Sequence, residues 1–362
     1  MSAEDLPTPA NHQPRIVRVT GADARECGAA WGQAIRAEVS TTLTRYRELF
    51  RESGIDDDAA EQQARLMLGA LEQRFPELHA ELGALALGAE IGVEELMLII
   101  GRTEILSMAP GIRPGECSTL IDRGHRLRSV QTWDWHVEMT DGWHLIHHAS
   151  QSRRYAALAE FGQPAKIGIN DAGVGVHLNV LGHRRDGSQG VPIHALIAGI
   201  LGGADSVAHA LEMMRATPVG ASSCITVVDS ENAAMVEFAA GEMNVLKPKS
   251  SVWVHTNHFL TPSFSADERS ELYQPDSDER MALLMDRIHR GAVPVYPEDL
   301  SRVLISHAGE AALCCRPNPA LPFGQRWATL ATVVLEPAAR QMSVASGSPA
   351  EAADDDWITL NP

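Results

Sequence analysis

The sequence predicts an α+β fold. Three observations carry that reading. Apolar residues recur at helical spacing before residue 116, short β-like runs dominate after Cys117, and later helical patterns come in blocks between groups of strands. Strict one-for-one alternation of strand and helix would have argued for a doubly wound parallel sheet instead.

Taken in order, helical spacing runs from about Asp23 to Phe50 and again from about Ala59 to Leu106, with a break at Phe75-Pro76 where proline disfavours continuation. The β-like runs are Ser118 to Asp122, Leu127 to Trp135, Trp143 to Ser150, Tyr155 to Glu160, Val174 to Val180, Ser222 to Asp229, Ala233 to Ala239, Val252 to His255 and Ala328 to Glu336. Helical patterns interrupt them at Pro192 to Ile200, Asp205 to Arg215, Glu279 to His289 and Asp299 to His307. Met1 to Pro14 and Ala350 to Asp356 read as loose tails.

A chain of 362 residues, 44% hydrophobic, can bury a large core and form one large domain or two small ones. A net charge of −17 argues against nucleic acid or an anionic membrane as partner, since both call for a basic surface. A small molecule is the expected partner, and homo-oligomerisation stays open. The N-terminal residues show no basic and apolar signal pattern, and no apolar run reaches transmembrane length, so the protein reads as cytoplasmic. Five cysteines at irregular positions, Cys27, Cys117, Cys224, Cys314 and Cys315, fit a reducing compartment.

Chemistry concentrates in Glu116-Cys117-Ser118-Thr119 and the following Gln131-Thr132-Trp133-Asp134-Trp135. A cysteine opens one strand and an acid closes the next, as a nucleophile and its partner would. A thiol needs a base, and no papain-like His and Asn arrangement surrounds this one. The base could be the cysteine's own α-amine, which requires cleavage between Glu116 and Cys117. A hairpin would bring Asp134 to that amine, where a buried carboxylate could orient it; the alternative is a turn-capping aspartate. Trp133 and Trp135 alternate with Asp134 and read as core or pocket wall.

Other features carry less. His144 and His148 share a strand face while His147 points away, and no matching ligand set joins them, so no metal or cofactor is expected. Gly168 to Gly173 lacks both the spacing and the lysine of a phosphate loop and reads as a tight β-turn. Cys314-Cys315 reads as a pair of adjacent thiols.

Further pieces run through the chain in a fixed order: Gly28-Ala29-Ala30-Trp31-Gly32, Arg102-Thr103-Glu104, Glu116-Cys117-Ser118, Trp133-Asp134-Trp135, Gly168 to Gly173, Leu178-Asn179, Ser222-Ser223-Cys224-Ile225, Thr256-Asn257-His258-Phe259 and Arg326 to Leu330. In these the chain resembles the peptidase C45 family of N-terminal-nucleophile hydrolases, typified by the fungal acyl-coenzyme A:6-aminopenicillanic acid acyltransferase. The resemblance implies a four-layer αββα sandwich. It also implies self-cleavage into residues 1–116, a helical pro-segment that stays associated, and residues 117–362, a catalytic chain beginning at the nucleophile.

By the same resemblance Cys117 is the nucleophile, Asp134 its partner and Asn257 the oxyanion donor. Asn179 is a second candidate that would position the substrate carbonyl, and Arg326 lies near the nucleophile, its planar fork suited to Asp134 or a substrate carboxylate. The expected function is a cysteine amidohydrolase that cleaves a linear non-peptide amide through a thioester on Cys117. Acyl-coenzyme A-dependent N-acyl transfer is the alternative. A binding or scaffold protein that keeps the fold without processing is a third reading, because Glu116 stands where the founding member of the family has glycine.

Overall fold

The structure is a computed structural model that describes residues 6–109, 117–187, 190–247, 250–270, 276–291, 293 and 297–362. Glu116 and the proposed scissile bond lie outside the described residues.

Two sheets form the centre. In sequence order the strands are β1 (Ile16–Val19), β2 (Ser118–Asp122), β3 (Arg128–His136), β4 (Trp143–Ala149), β5 (Arg154–Glu160), β6 (Ile167–Asn170) and β7 (Gly175–Val180). They continue with β8 (Ser223–Val228), β9 (Ala233–Ala239), β10 (Glu242–Val245), β11 (Val252–His255), β12 (Trp327–Glu336), β13 (Gln341–Ser346) and β14 (Ile358–Leu360). One sheet has the order β1-β4-β5-β6-β7-β8-β9-β10 and the other β11-β2-β3-β12-β13-β14. All pairings are antiparallel except β1 with β4.

The inner faces meet through side chains of β2 and β3 that reach β7. Thr119 donates to Asn179, Gln131 donates to the Leu178 carbonyl, and Ser129 hydrogen-bonds His177. Helices cover the outer faces. Ile193–Gly203 and Val207–Arg215 lie on the larger sheet, and Ser277–His289 lies on the smaller one, with Leu284 buried among Leu120, Val130 and Val254. The result is an αββα sandwich.

The first part of the chain is more than a helical cover. Its strand β1 extends the larger sheet beside β4. Helix Ala24–Ala34 starts where Asp23 accepts the amides of Arg25 and Glu26, and helix Pro76–Gly88 has proline in its first turn. The two cross in close contact because Gly28 and Gly32 carry no Cβ; an added one would stand 2.0 Å from the Glu81 and Leu85 carbonyls. That steric demand is the physical content of the Gly28-Ala29-Ala30-Trp31-Gly32 motif.

Several expectations need correction. Asp299 to His307 is a 3₁₀ segment, Pro297–Leu304, in place of an α-helix. The Ala59 to Leu106 stretch is four helices, not two. Gly168 to Gly173 begins as β6, and only its end is a turn. There Asn170 accepts the amides of Ala172 and Val174, and Gly173 takes a φ of 84°. Within the expected loose tails, Pro9 is buried and His12 hydrogen-bonds the Trp143 carbonyl, while Asp354–Asp356 forms a 3₁₀ turn. Short strands β1, β10, β13 and β14 escape a periodicity reading because three to six residues give too little alternation.

Candidate active site

Cys117 sits immediately before β2, buried, and side chains from other segments hold its main chain. Its amide donates to Asn257 Oδ1 at 2.7 Å. Its carbonyl accepts from Asn179 Nδ2 at 2.9 Å and from Arg280 Nη1 at 3.3 Å. The position follows from the fold: β2 lies between β11 and β3, so the residue before it faces the loop that leaves β11, where Asn257 is placed.

Asn257 is held from both sides. Its main-chain amide donates to Ser277 Oγ at 2.8 Å, and its Nδ2 donates to the Val180 carbonyl at 2.9 Å. Because Oδ1 accepts the Cys117 amide, the orientation of this side-chain amide is fixed by its neighbours. One of the two Nδ2 protons is therefore used on Val180, leaving one for an incoming oxyanion.

Asn179 is saturated by the chain itself. Its oxygen accepts from Thr119 Oγ1 at 2.7 Å and Gln131 Nε2 at 3.3 Å, and its nitrogen donates to the carbonyls of Cys117 and, at 3.4 Å, His255. These contacts fasten the Cys117 backbone.

The thiol lies against β3, where the Asp134 main-chain N–H donates to it. Burial pushes the Cys117 thiol up to about 11; the Asp134 carboxylate adds to the rise, while Lys166 and Arg280 oppose it. With that shift the buried Cys117 thiol is protonated at neutral pH, and its own nitrogen, an amide donating to Asn257, cannot act as a base.

Arg280 is the residue that sequence reading missed. It is fully buried, on the outer helix Ser277–His289. Its Nη1 also donates to Ser118 Oγ at 3.2 Å, Nη2 to Asn257 Oδ1 at 3.2 Å, and Nε to Asp276 Oδ1 at 3.0 Å. One planar fork thus ties the nucleophile, the following strand residue and the candidate oxyanion donor together. The only hint in the sequence is an arginine that would face inward on an amphipathic helix. Arg326, by contrast, pairs with Glu138, at 2.7 Å from Nε and 2.6 Å from Nη2. It precedes β12 next to the end of β3, which puts Glu138 within its reach.

The first part of the chain also reaches inward. Arg102 is buried with its guanidinium 3.7 Å from the centre of the Trp135 ring, and it donates to Glu160 Oε2 at 3.1 and 2.8 Å. Tyr46 donates to the same carboxylate and accepts from Trp135 Nε1 at 3.0 Å. Next to Arg102, Glu104 accepts the Ile193 amide at 2.8 Å, and burial pushes its carboxyl up to about 7. A crevice lined by Arg102, Thr103, Leu106, Trp135, Val180 and Leu181 reaches the strand end that holds Asn257, and its space of about 10 Å³ admits a single water. A roomier cavity of about 460 Å³ opens at the far end of β2 by Asp122, Arg128 and Val252, away from Cys117.

His144 and His148 of β4 have local partners. His148 bonds Glu81 at 2.7 Å, and His144 stacks on Phe161. Among the described residues no group of three or more His, Cys, Asp or Glu side chains could hold a metal ion.

Residues 123–351 match the family model described as acyl-coenzyme A:6-aminopenicillanic acid acyl-transferase. The chain belongs to that acyltransferase family. The matched span includes Asp134, Asn179, Asn257, Arg280 and Arg326 and begins after Cys117. Membership makes the protein an enzyme of the acyl-transferring type. A relative in the family, the 40 kDa form of acyl-coenzyme A:6-aminopenicillanic-acid-acyltransferase from Emericella nidulans, is 25% identical over 259 residues, spanning 70% of this chain and 72% of the relative.

Solved structures similar to the chain include the Caenorhabditis elegans orthologue of N-acylethanolamine-hydrolyzing acid amidase, with TM-score 0.43, 12% identity, and 61% of this chain and 93% of that one covered. Penicillin V acylase from Agrobacterium tumefaciens has TM-score 0.37 and 14% identity, covering 64% and 83%. A mutant of conjugated bile acid hydrolase from Clostridium perfringens has TM-score 0.41 and 9% identity, covering 68% and 92%.

Proposed function

We propose that this protein is a self-processing thiol amidohydrolase. It cuts its own chain between Glu116 and Cys117 and then hydrolyses a linear non-peptide amide. The observation that carries the reading is the bond from the Cys117 nitrogen to Asn257 Oδ1. A site organised only around a thiol has no need to hold that nitrogen, whereas a site that turns the nitrogen into its base does.

After cleavage the freed α-amine takes the thiol proton, the thiolate attacks the substrate carbonyl, and the amine of the substrate leaves to give a thioester on Cys117. The remaining Nδ2 proton of Asn257 meets the oxyanion, and Asp134 steadies the charged α-amine. Arg280 and Asn179 keep the new terminus in place. Water then releases the acid. Residues 1–116 and 117–362 would stay joined after cleavage, supported by the β1–β4 pairing and the buried Arg102–Glu160 ion pair. No described helix is long and apolar enough to cross a membrane. The five cysteines, all among the described residues, form no disulfide, which supports a cytoplasmic location.

Acyl transfer is the second reading, favoured by the family's description and by the named activity of the Emericella relative. It shares the thioester and differs only in what resolves it. Intact mass spectrometry of the purified protein should give two fragments that divide at Glu116-Cys117; a single full-length mass after prolonged incubation would leave the scaffold reading in place. A good amide substrate should release free acid, with added 6-aminopenicillanic acid or simple amines diverting a minor share. Consumption of a coenzyme A thioester chiefly into a new amide would establish transfer instead.

A further inference from the structure

Asn257 lies past the last β11–β2 pair, which joins His255 to Thr119, so the sheet ladder does not place it. Its side chain nonetheless meets the Cys117 nitrogen at 2.7 Å. A buried charge pair between the two sheets holds this stretch of chain. His255 Nε2 stands 2.8 Å from Glu237 Oε1, and both side chains are fully enclosed. Glu237 belongs to the larger sheet, where cross-strand pairing sets it opposite Cys224 and Cys224 opposite Asn179, so the three share one face. That face looks onto the smaller sheet, where Asn179 reaches the carbonyls of His255 and Cys117.

Glu237 does more than pair with His255. Its Oε1 also accepts the Leu260 amide at 2.7 Å, and its Oε2 accepts the Thr261 amide at 2.9 Å. His255 closes the other end, its Nδ1 facing the Thr256 carbonyl at 2.8 Å. One carboxylate and one imidazole therefore hold the segment on both sides of Asn257. With an acceptor before each ring nitrogen, both nitrogens carry protons and the ring is a cation. Taking both charges out of water costs stability that a well-packed apolar pair would keep, which points to a use for the bonds they make.

We propose that the Glu237–His255 pair is the positioning device of the candidate site, fixing residues 255–261 so that Asn257 reaches the Cys117 nitrogen. The assignment deepens the amidohydrolase reading, because the Asn257 amide held in this way is the proposed oxyanion donor, but its test needs neither cleavage nor a substrate.

The surroundings agree with a charged pair. Burial works against the His255 cation, but the Cys224 sulfur and the Glu237 carboxylate outweigh it and hold the ring well above its ordinary value. Burial likewise opposes the Glu237 charge, and His255, the Leu260 amide and Thr261 bring its carboxyl below its ordinary value. Glu268, which accepts the Phe259 amide at 2.9 Å, and His258 act on the same pair from the loop.

The test uses the full-length Cys117→Ala chain, which has no thiol to cleave with and keeps a main-chain N–H at that position. In NMR spectra of isotope-labelled histidine, with His255→Gln identifying the signal, His255 should show protons on both ring nitrogens at neutral pH. Glu237→Gln, made in the same chain, keeps the shape but offers an N–H where an acceptor is needed. Amide hydrogen exchange should then quicken by about tenfold or more at residue 117, Leu260 and Thr261, while the amides of β4 and β5 hold to within about twofold. A neutral His255, unchanged exchange at residue 117, or equal quickening throughout both sheets would overturn the assignment. Should Glu237→Gln fail to fold, the histidine spectrum and the exchange pattern of His255→Gln still decide. A wild-type chain that stays whole by intact mass would overturn self-processing alone and leave the exchange result standing.

Discussion

The side-chain oxygen of Asn257 holds the main-chain nitrogen of Cys117 at 2.7 Å, and accepts a second bond from Arg280 at 3.2 Å. Oxygen and nitrogen of this one amide therefore face different tasks in the proposed mechanism: the oxygen places the Cys117 nitrogen, and the nitrogen can meet an oxyanion. Asn257→Ala removes both and should lower kcat of matured protein by about a hundred- to a thousandfold. Asn257→Asp keeps the acceptor and should process faster than Asn257→Ala while sharing its slow turnover. Equal processing rates for the two variants, measured by intact mass, would refute the division of labour.

Asp134 sets the reactivity of the thiol through its charge as well as its main-chain N–H. Because that charge adds to the rise of the Cys117 thiol, Asp134→Asn should lower the thiol's titration point toward its ordinary value. The sign is testable in Cys117 chains trapped uncleaved: iodoacetamide labelling of Cys117, read by peptide mass, should begin at lower pH in Asp134→Asn than in wild type. A shift to higher pH would contradict the geometry.

Arg280 should tolerate no exchange for lysine. A lysine keeps the charge but cannot bond Cys117, Ser118, Asn257 and Asp276 at once. Processing and turnover should both fall in Arg280→Lys, by about tenfold or more each, a loss of about 1.4 kcal/mol or more in the barrier terms. A fully active Arg280→Lys enzyme would reduce the residue to helix packing.

Arg326 and Glu138 form a buried ion pair. Removing one partner leaves the other charge unpaired, so Arg326→Ala should destabilise the fold by about 3 kcal/mol, measured by urea unfolding. Turnover per folded, matured molecule should change little. A large kcat loss at unchanged stability would restore the catalytic role that its place in the sequence suggested.

Cleaved fragments should co-purify under native conditions and separate only in denaturant. The reason is that β1 completes the larger sheet and Arg102 neutralises Glu160 within the core. Spontaneous loss of residues 1–116 from the matured enzyme in size-exclusion chromatography would contradict this.

The fold class was legible in the linear pattern, as were several residues that the structure gathers at the candidate site. Alternating runs such as Ser118 to Asp122 and Ala233 to Ala239 are local signals, because burial on a pleated surface imposes its period on neighbouring residues. Cys117, Asp134 and Asn257 stand out in ordered motifs, and the structure brings them to one place. Packing between distant segments settled the rest. Which arginine reaches the nucleophile depends on how an outer helix packs on a sheet and on where β12 pairs with β3. Those distances between residues far apart in the chain put Arg280 on the Cys117 carbonyl and pair Arg326 with Glu138. Charge and desolvation act through space, and a linear pattern does not record which groups share a buried volume.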